Sequence, residues 1–462
     1  MRLANGLAVF LVVLLSPISF AQEFAPVVGW EGQLFPSYII STATMKPAPV
    51  EEETVAEDGA EDGAEEGAEE GAVEAAEGEE AAAEEPVIEI LGKEDGLLGV
   101  ELVSPGKNVA VKLTITCDEI MEPSTFSGTL PEKGVTYQIL PGIKYKFRKL
   151  AEFDQATPVS MTFKLQVGKG PATEQTSTVT IRPINDCPYM LVYGEDQLQD
   201  ISYTFAAYVN EQHPFLDKVL REALDRQIVD SFIGYQGHDD DVLRQVYALW
   251  DALVMRDVRY SSITATSAEA DMVMSQHVRL IEQSINNAQA NCVDGSVLFA
   301  SLLRKVGIEP FLILVPGHCY VGFYADEKKD RFLAIETTML GSSFEEGQEV
   351  PSLDFLDAAV SEDLRDDYSW PSFTAAVVTG SSSYAENLEK FDDENEPNYV
   401  RIDITDARRS GILPIAFRGK EQFEAVAGYE DEEMMEEESD EESEEDSEED
   451  AGEESDSDDE DE

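Results

Sequence analysis

The stretch NCVDGSVLFASLLRKVG, Asn291 to Gly307, decides how the chain is read. Both of its ends are marked as those of one helix. Asn291 is an N-cap residue, Gly307 suits the C′ position, and Arg304 and Lys305 fall in the last turn, where their charge complements the helix dipole. Cys292 therefore opens the helix. Its sulfur is expected beside the unpaired N–H groups of the first turn and the positive end of the dipole, a setting that favours thiolate over thiol. A nucleophilic cysteine belongs at such a place.

Downstream the sequence reads FLILV (Phe311 to Val315), a Pro316-Gly317 turn, CYVGFY (Cys319 to Tyr324), a polar ADEKKD loop, and RFLAIE ending at Glu336. Short turns between these runs predict an antiparallel meander. His318 starts its second strand and Glu336 ends its third. If Tyr324 pairs with Asp330 across the loop, continuing that register sets His318 opposite Glu336; a slip by one residue would put them on opposite faces. In the first register Cys292, His318 and Glu336 supply a nucleophile, a base and an orienter for that base.

These residues resemble the transglutaminase-like superfamily, whose papain-like core places a Cys at the start of a helix, a His on an adjacent strand and an Asp on the next. Cys292 stands at the nucleophile, followed by an apolar helix and a similar exit at Arg304, Gly307, Ile308 and Pro310. His318 stands at the family His, and Glu336-Thr337-Thr338 falls where Asp-Pro-Thr is usual. Upstream, Trp250, the DVRYSS run and VRLIEQSINNAQANC look like the family's approach to its Cys, so the resemblance covers about half the chain. Three departures stand out: Glu for Asp, Tyr320 where a Trp is common, and a short interval from Cys to His.

The resemblance implies an α+β fold, a secreted protein of bacterial type, and acyl transfer on amide bonds of protein or peptide substrates. Cys292 would attack a carboxamide carbonyl, His318 would carry the proton, and Glu336 would hold the imidazole. The oxyanion would sit at the helix N-terminus on the Cys292 N–H, with a side-chain amide from Gln289, Asn286 or Asn287. Hydrolysis and transamidation both remain open, and the chemistry calls for no cofactor and no metal. The competing class is a non-catalytic secreted interaction module with a degenerate domain of this kind.

With 462 residues the chain has room for two or three domains. It begins MRLANGLAVFLVVLLSPISFA, where Arg2 precedes an apolar run of about 13 residues, short of the ~20 that span a bilayer. Residues 1–21 read as a secretory signal, which predicts a secreted or periplasmic protein without stable membrane insertion. The formal net charge is −64, but residues 51–85 hold 17 carboxylates and residues 430–462 hold 24, with no Lys or Arg in either. The rest is moderately acidic and carries no basic stripe, which excludes nucleic acid as an expected partner. Four cysteines are present. Cys292 is expected free and Cys319 packed as a small apolar residue facing away from His318. Cys117 and Cys187 are either a disulfide or two buried thiols.

In chain order, residues 22–46 contain a strand-like portion, Tyr38 to Met45, which either joins the following β domain as its first strand or docks elsewhere. Residues 47–86 carry a Gly-punctuated acidic repeat that forms neither a stable helix nor a core; a disordered linker is expected, with weak cation binding as its alternative role. Residues 87–186 alternate polar and apolar, as in Val109-Leu113-Cys117 and Val159-Phe163-Val167, and predict an antiparallel β-sandwich of about seven strands. Residues 187–429 are assigned to the transglutaminase-like domain. Within it, helices are expected over 213–233, 239–256 and 373–391 and a strand over 399–404, with Trp250 in the core. His213, His238 and His277 lack ligand-like spacing, so capping or exposed roles are expected. On composition residues 430–462 are expected to be a disordered acidic tail, with weak cation binding as an alternative role.

Overall fold

The computed structural model describes residues 23–45, 88–193, 197–262, 270–344, 348, 350–393 and 395–426. The expected signal segment 1–21, acidic linker 47–86 and acidic tail 430–462 lie outside the described residues. These fall into two compact units, one of residues 23–34, 88–150 and 156–181, the other of residues 35–45, 151–155 and 182–426. The border thus falls at 181/182 rather than at 186/187. No helix of the described residues is long and apolar enough to cross a membrane.

The first unit is built from the period-two rows. One sheet orders Ala25–Val28 (β1), Leu98–Val103 (β4), Thr136–Leu140 (β8) and Ile88–Gly92 (β3) as β1-β4-β8-β3. A second orders Gln33–Leu34 (β2), Thr173–Ile181 (β11), Thr157–Val167 (β10), Val109–Thr116 (β5) and Ser124–Leu130 (β7) as β2-β11-β10-β5-β7. The short strands Met121–Glu122 (β6) and Lys144–Tyr145 (β9) pair separately, and the one-turn segments Gly29–Gly32 (α1) and Phe147–Leu150 (α3) complete the unit. Alternate residues through the middle of β5 and β10, including Leu113, Ile115, Met161 and Phe163, are buried, as a one-faced strand requires. Two pairings, β3 with β8 and β2 with β11, are parallel, so the sheets are not wholly antiparallel.

The expected strand at Tyr38 to Met45 is corrected. Pro36–Ser41 is a helix (α2) with Pro36 in its first turn, where a missing N–H costs nothing, and the strands of this region are β1, paired with β4, and β2, paired with β11. Pro36 thus outweighs the strand propensity of Tyr38 and Ile39-Ile40. The N-terminal segment divides at Leu34, its first part in one unit and Phe35–Met45 in the other.

In the second unit, Asp186–Tyr193 (β12) lies between Gln197–Asp200 (β13) and Val273–His277 (β15), and Arg259–Tyr260 (β14) pairs with Gln289–Ala290 (β16). Its helices include Pro214–Asp225 (α4), Asp239–Met255 (α5), Ile281–Asn286 (α6) and Cys292–Lys305 (α7). The helix expected over 213–233 stops at Asp225 because Gln227 turns to a positive φ of 59°, outside the helical region. His213 caps α4 by accepting the Phe215 N–H, and His238 caps α5. Among the described residues no group of three or more His, Cys, Asp or Glu could hold a metal ion.

A four-stranded antiparallel sheet then follows: Phe332–Ile335 (β19), His318–Tyr324 (β18), Pro310–Val315 (β17) and Val400–Asp403 (β20), in that order. Leu312, Cys319, Val321 and Phe323 pack into one core with Leu298, Phe299 and Leu302 of α7 and the fully buried Trp250. Phe311, Ile313, Tyr320 and Tyr324 belong to a separate cluster with Tyr384. Beyond β19 come Asp354–Ala359 (α8), Glu362–Arg365 (α9), Trp370–Asn387 (α10) and Ile404–Ser410 (α11).

Helix α10 fixes the end of β19, and thereby Glu336. The Glu336 N–H donates to Ala376 O at 3.0 Å, and a Cβ at Gly380 would meet the Ala334 backbone at 2.8 Å. Gly380→Val should therefore destabilise the fold by about 1–3 kcal/mol, since backbone cannot yield as a side-chain tip can. Urea unfolding checks this, and an unchanged midpoint would show that α10 does not seat β19 as described.

Candidate active site

Helix α7 starts where its cap residues dictate. Asn291 Oδ1 accepts the Asp294 N–H at 2.8 Å, and Asp294 Oδ2 accepts the Asn291 N–H at 3.0 Å, a reciprocal capping box. Asp294 is fully buried, and Arg279 holds it from its guanidinium at 2.6 Å and its backbone N–H at 2.7 Å. A buried carboxylate so paired is costly to leave without its partner, which ties the segment before α6 to the start of α7. Cys292 is then the first helical residue, partly exposed. Gly307 ends the helix region with φ 83°. All four cysteines are free thiols, so Cys117 and Cys187 form no disulfide. Burial pushes the Cys117 thiol up to about 11, aided by Glu119, and raises that of Cys187 as well.

The meander delivers His318. Val315 pairs with His318 across the two-residue Pro316-Gly317 turn, in which Gly317 takes φ 72°. Cys319 is 2% exposed and sits in the α7 core, on the opposite face of the strand from His318.

Glu336 arrives by a register different from the one expected. Tyr324 pairs with Phe332, not with Asp330, and Val321 with Ile335. The cause is the loop: the Asp326 carboxylate accepts the N–H groups of Asp330 and Arg331 at 3.2 and 2.7 Å, while Lys329 turns to φ 63°. These contacts use Asp330 as a turn residue and move the register by two. A shift of two keeps every side chain on its face. Glu336 therefore falls on the His318 face but, by continuation of the register, opposite Tyr320, a diagonal from His318 that suits a long side chain. The carboxylate reaches the ring: His318 Nε2 and Glu336 Oε2 are 2.7 Å apart.

The other Glu336 oxygen accepts the Thr338 N–H at 3.1 Å and the Thr338 hydroxyl at 2.6 Å, capping the single 3₁₀ turn Thr337–Met339. That turn lies against α7. A Cβ at Gly295 would stand 3.0 Å from Thr337 Oγ1, and Ser296 Oγ is 3.3 Å from the same atom. A glycine one turn into α7 thus lets the Glu336 segment approach the start of the helix.

The His318 imidazole is bonded to Glu336 through Nε2, and Cys292 lies near enough to the ring to act on its charge. With Nε2 taken by Glu336, the remaining nitrogen, Nδ1, is the one available to the sulfur. Hydrogen bonding to Cys292, and then to Glu336, raises His318 to about 10 against the opposing effect of burial. Any stability the charged ring contributes is fully present below its ordinary pKa near 6.5 and is lost as pH rises through about 10. Burial alone would raise the Glu336 carboxyl, but bonds from His318 and Thr338 hold it below its ordinary value.

The three candidate amides separate. Asn286 is committed elsewhere: its Nδ2 donates to Gln422 O at 2.8 Å and its Oδ1 accepts the Glu424 N–H at 3.2 Å, which pins the segment beyond α11 to α6. Asn287 caps the C-terminus of α6 and is exposed. Gln289 is exposed on β16, three residues before Cys292. A residue that sequence reasoning did not single out is Tyr260. It pairs with Ala290 through β14 and β16, is 46% exposed, and its phenol is pushed up by burial and then by the charges of Cys292 and Glu336. Its only sequence signal was its place in DVRYSS, far upstream of Cys292.

A cleft of about 420 Å³ lined by Tyr235, His238, Asp239, Asp326 and Arg331 lies beyond the far end of β18 from His318 and contains none of the three residues. No protein-family model matches the chain, and no curated protein is significantly similar to it.

Proposed function

We propose that the chain is an exported, cysteine-dependent acyl-transfer enzyme of transglutaminase-like fold, acting on amide bonds of protein or peptide substrates. The observation that carries this reading is the 2.7 Å bond between His318 Nε2 and Glu336, with Cys292 at a helix N-terminus and acting on the same imidazole. The Cys292 thiolate attacks the carboxamide carbonyl carbon, and the carbonyl electron pair moves onto oxygen. The Cys292 N–H, unpaired in the first turn, faces that oxyanion, and Gln289 and Asn287 are the uncommitted amides nearest in sequence. Imidazolium His318 gives its proton to the departing amine as the C–N bond breaks, leaving a thioester. Water or a primary amine then attacks, His318 takes the proton released, and the thiolate leaves. Glu336 keeps the ring aimed throughout.

The partial exposure of Cys292 and His318, and the 46% exposed Tyr260, fit a substrate segment laid across a shallow site better than a molecule enclosed in a cavity. The test is incubation of the full chain with glutamine-containing peptides, with and without a primary amine, followed by intact-mass measurement. A thioester-sized adduct on Cys292 and release of ammonia are expected. Absence of an adduct with every amide and ester donor, with the protein folded, would favour the non-catalytic interaction module.

A further inference from the structure

The imidazole of His318 has a third neighbour besides Cys292 and Glu336. Tyr320, two residues along β18 and so on the same face of the strand, lies nearly parallel to it, with ring centroids 5.8 Å apart and an interplanar angle of 23°. Tyr320 is fully buried, packed with Phe311, Ile313 and Tyr384, whereas His318 is about one third exposed. A fixed ring therefore flanks the imidazole in an offset, near-parallel arrangement. A ring bonded at Nε2 can still tilt, and a stacked neighbour opposes that tilt.

We propose that Tyr320 is a positioning residue of this site: its ring fixes the plane in which His318 meets Cys292 and Glu336 and favours the cationic imidazole. The proposal rests on reading those three residues as one reacting unit. An aromatic face attracts a cation within about 6 Å of its centroid, and the ring must stay neutral to do so. Burial, with a contribution from Glu336, pushes the Tyr320 phenol up to about 12, so it is neutral wherever His318 is charged. The titratable groups around the imidazole are Cys292 at the start of α7, Glu336 at the end of β19, and Tyr260 on β14, which interacts with both. Asp294, farther into α7, is paired with Arg279, and Cys319 points to the opposite face.

The experiment replaces Tyr320 in the full chain by Phe, by Met, and site-specifically by pentafluorophenylalanine. The iodoacetamide alkylation rate of Cys292 is followed from about pH 5 to 11, and His318 is titrated by NMR. Phe, which keeps the ring, should leave both profiles within about twofold of wild type. Met gives an unbranched apolar side chain without the π face, and the fluorinated ring keeps the shape with its quadrupole reversed; each should lower the His318 midpoint by about 0.5–1.5 pH units relative to Phe. If Met does not fold, the fluorinated isostere still answers. A midpoint unmoved by fluorination overturns the proposal. A wild-type His318 titrating near its ordinary value overturns the reading of the reacting unit instead, so the two failures are distinguishable.

Discussion

With alanine at position 292, the protein should form no acyl-enzyme, release no amine from any amide substrate, and lose the alkylation adduct found on wild type, while unfolding at nearly the same denaturant concentration. The expected loss is complete because no other thiol can substitute. Cys319 faces the opposite side of β18 in the α7 core, and burial raises its thiol. Cys117 and Cys187 are buried as well. Losing the partly exposed sulfur of Cys292 removes little packing, so a folding defect would not explain the result. Turnover that survives Cys292→Ala, measured by ammonia release under identical conditions, would end the enzyme reading as written.

Glu336→Gln should be the next most damaging change. The amide is nearly isosteric and can keep the Thr338 contacts, yet it cannot stabilise an imidazolium or fix its tautomer as a carboxylate does. The loss could approach the ~10⁴-fold fall in kcat that the analogous change produces in the Ser-His-Asp template, the source of this magnitude. Because the Glu336 carboxyl is held below its ordinary range, its contribution is present at neutral pH and disappears only as pH falls through that lowered value. Glu336→Asp is informative in the same assay. From its place opposite Tyr320 the shorter side chain falls short of Nε2, so it should also lose activity although it restores the acid usual in the resembled family. Near wild-type rates for Glu336→Gln would remove this residue from the mechanism.

What could be read before the structure was governed by local chemistry. The limits of α7 follow from Asn291 and Gly307, and the Pro316-Gly317 turn fixes the pairing of β17 with β18; both stand as expected. Register across the β18–β19 loop did not follow from composition, because it is set by the Asp326 side chain and the left-handed Lys329. The two-residue difference left Glu336 on the His318 face only because strand side chains repeat every second residue. Residues near Tyr38 have strand-forming side chains, but Pro36 starts a helix there. The stop of α4 at Asp225 hangs on one backbone angle at Gln227, which amphipathic periodicity through 233 conceals. Asn286 as a candidate amide shows another limit, since its partners Gln422 and Glu424 are far along the chain. Tyr260 reaches the site through the pairing of two two-residue strands, too short for periodicity to mark.

The most direct test of the reacting unit is the pH dependence of Cys292 alkylation by iodoacetamide in the wild-type protein, read by mass spectrometry on the peptide that contains it. With Cys292 at the start of α7 beside an imidazole that its partners hold protonated well above the ordinary range, Cys292 should already react faster than free cysteine at about pH 6. A rate at pH 6 no greater than that of free cysteine, rising only through the ordinary thiol range near pH 8.5, would contradict the account.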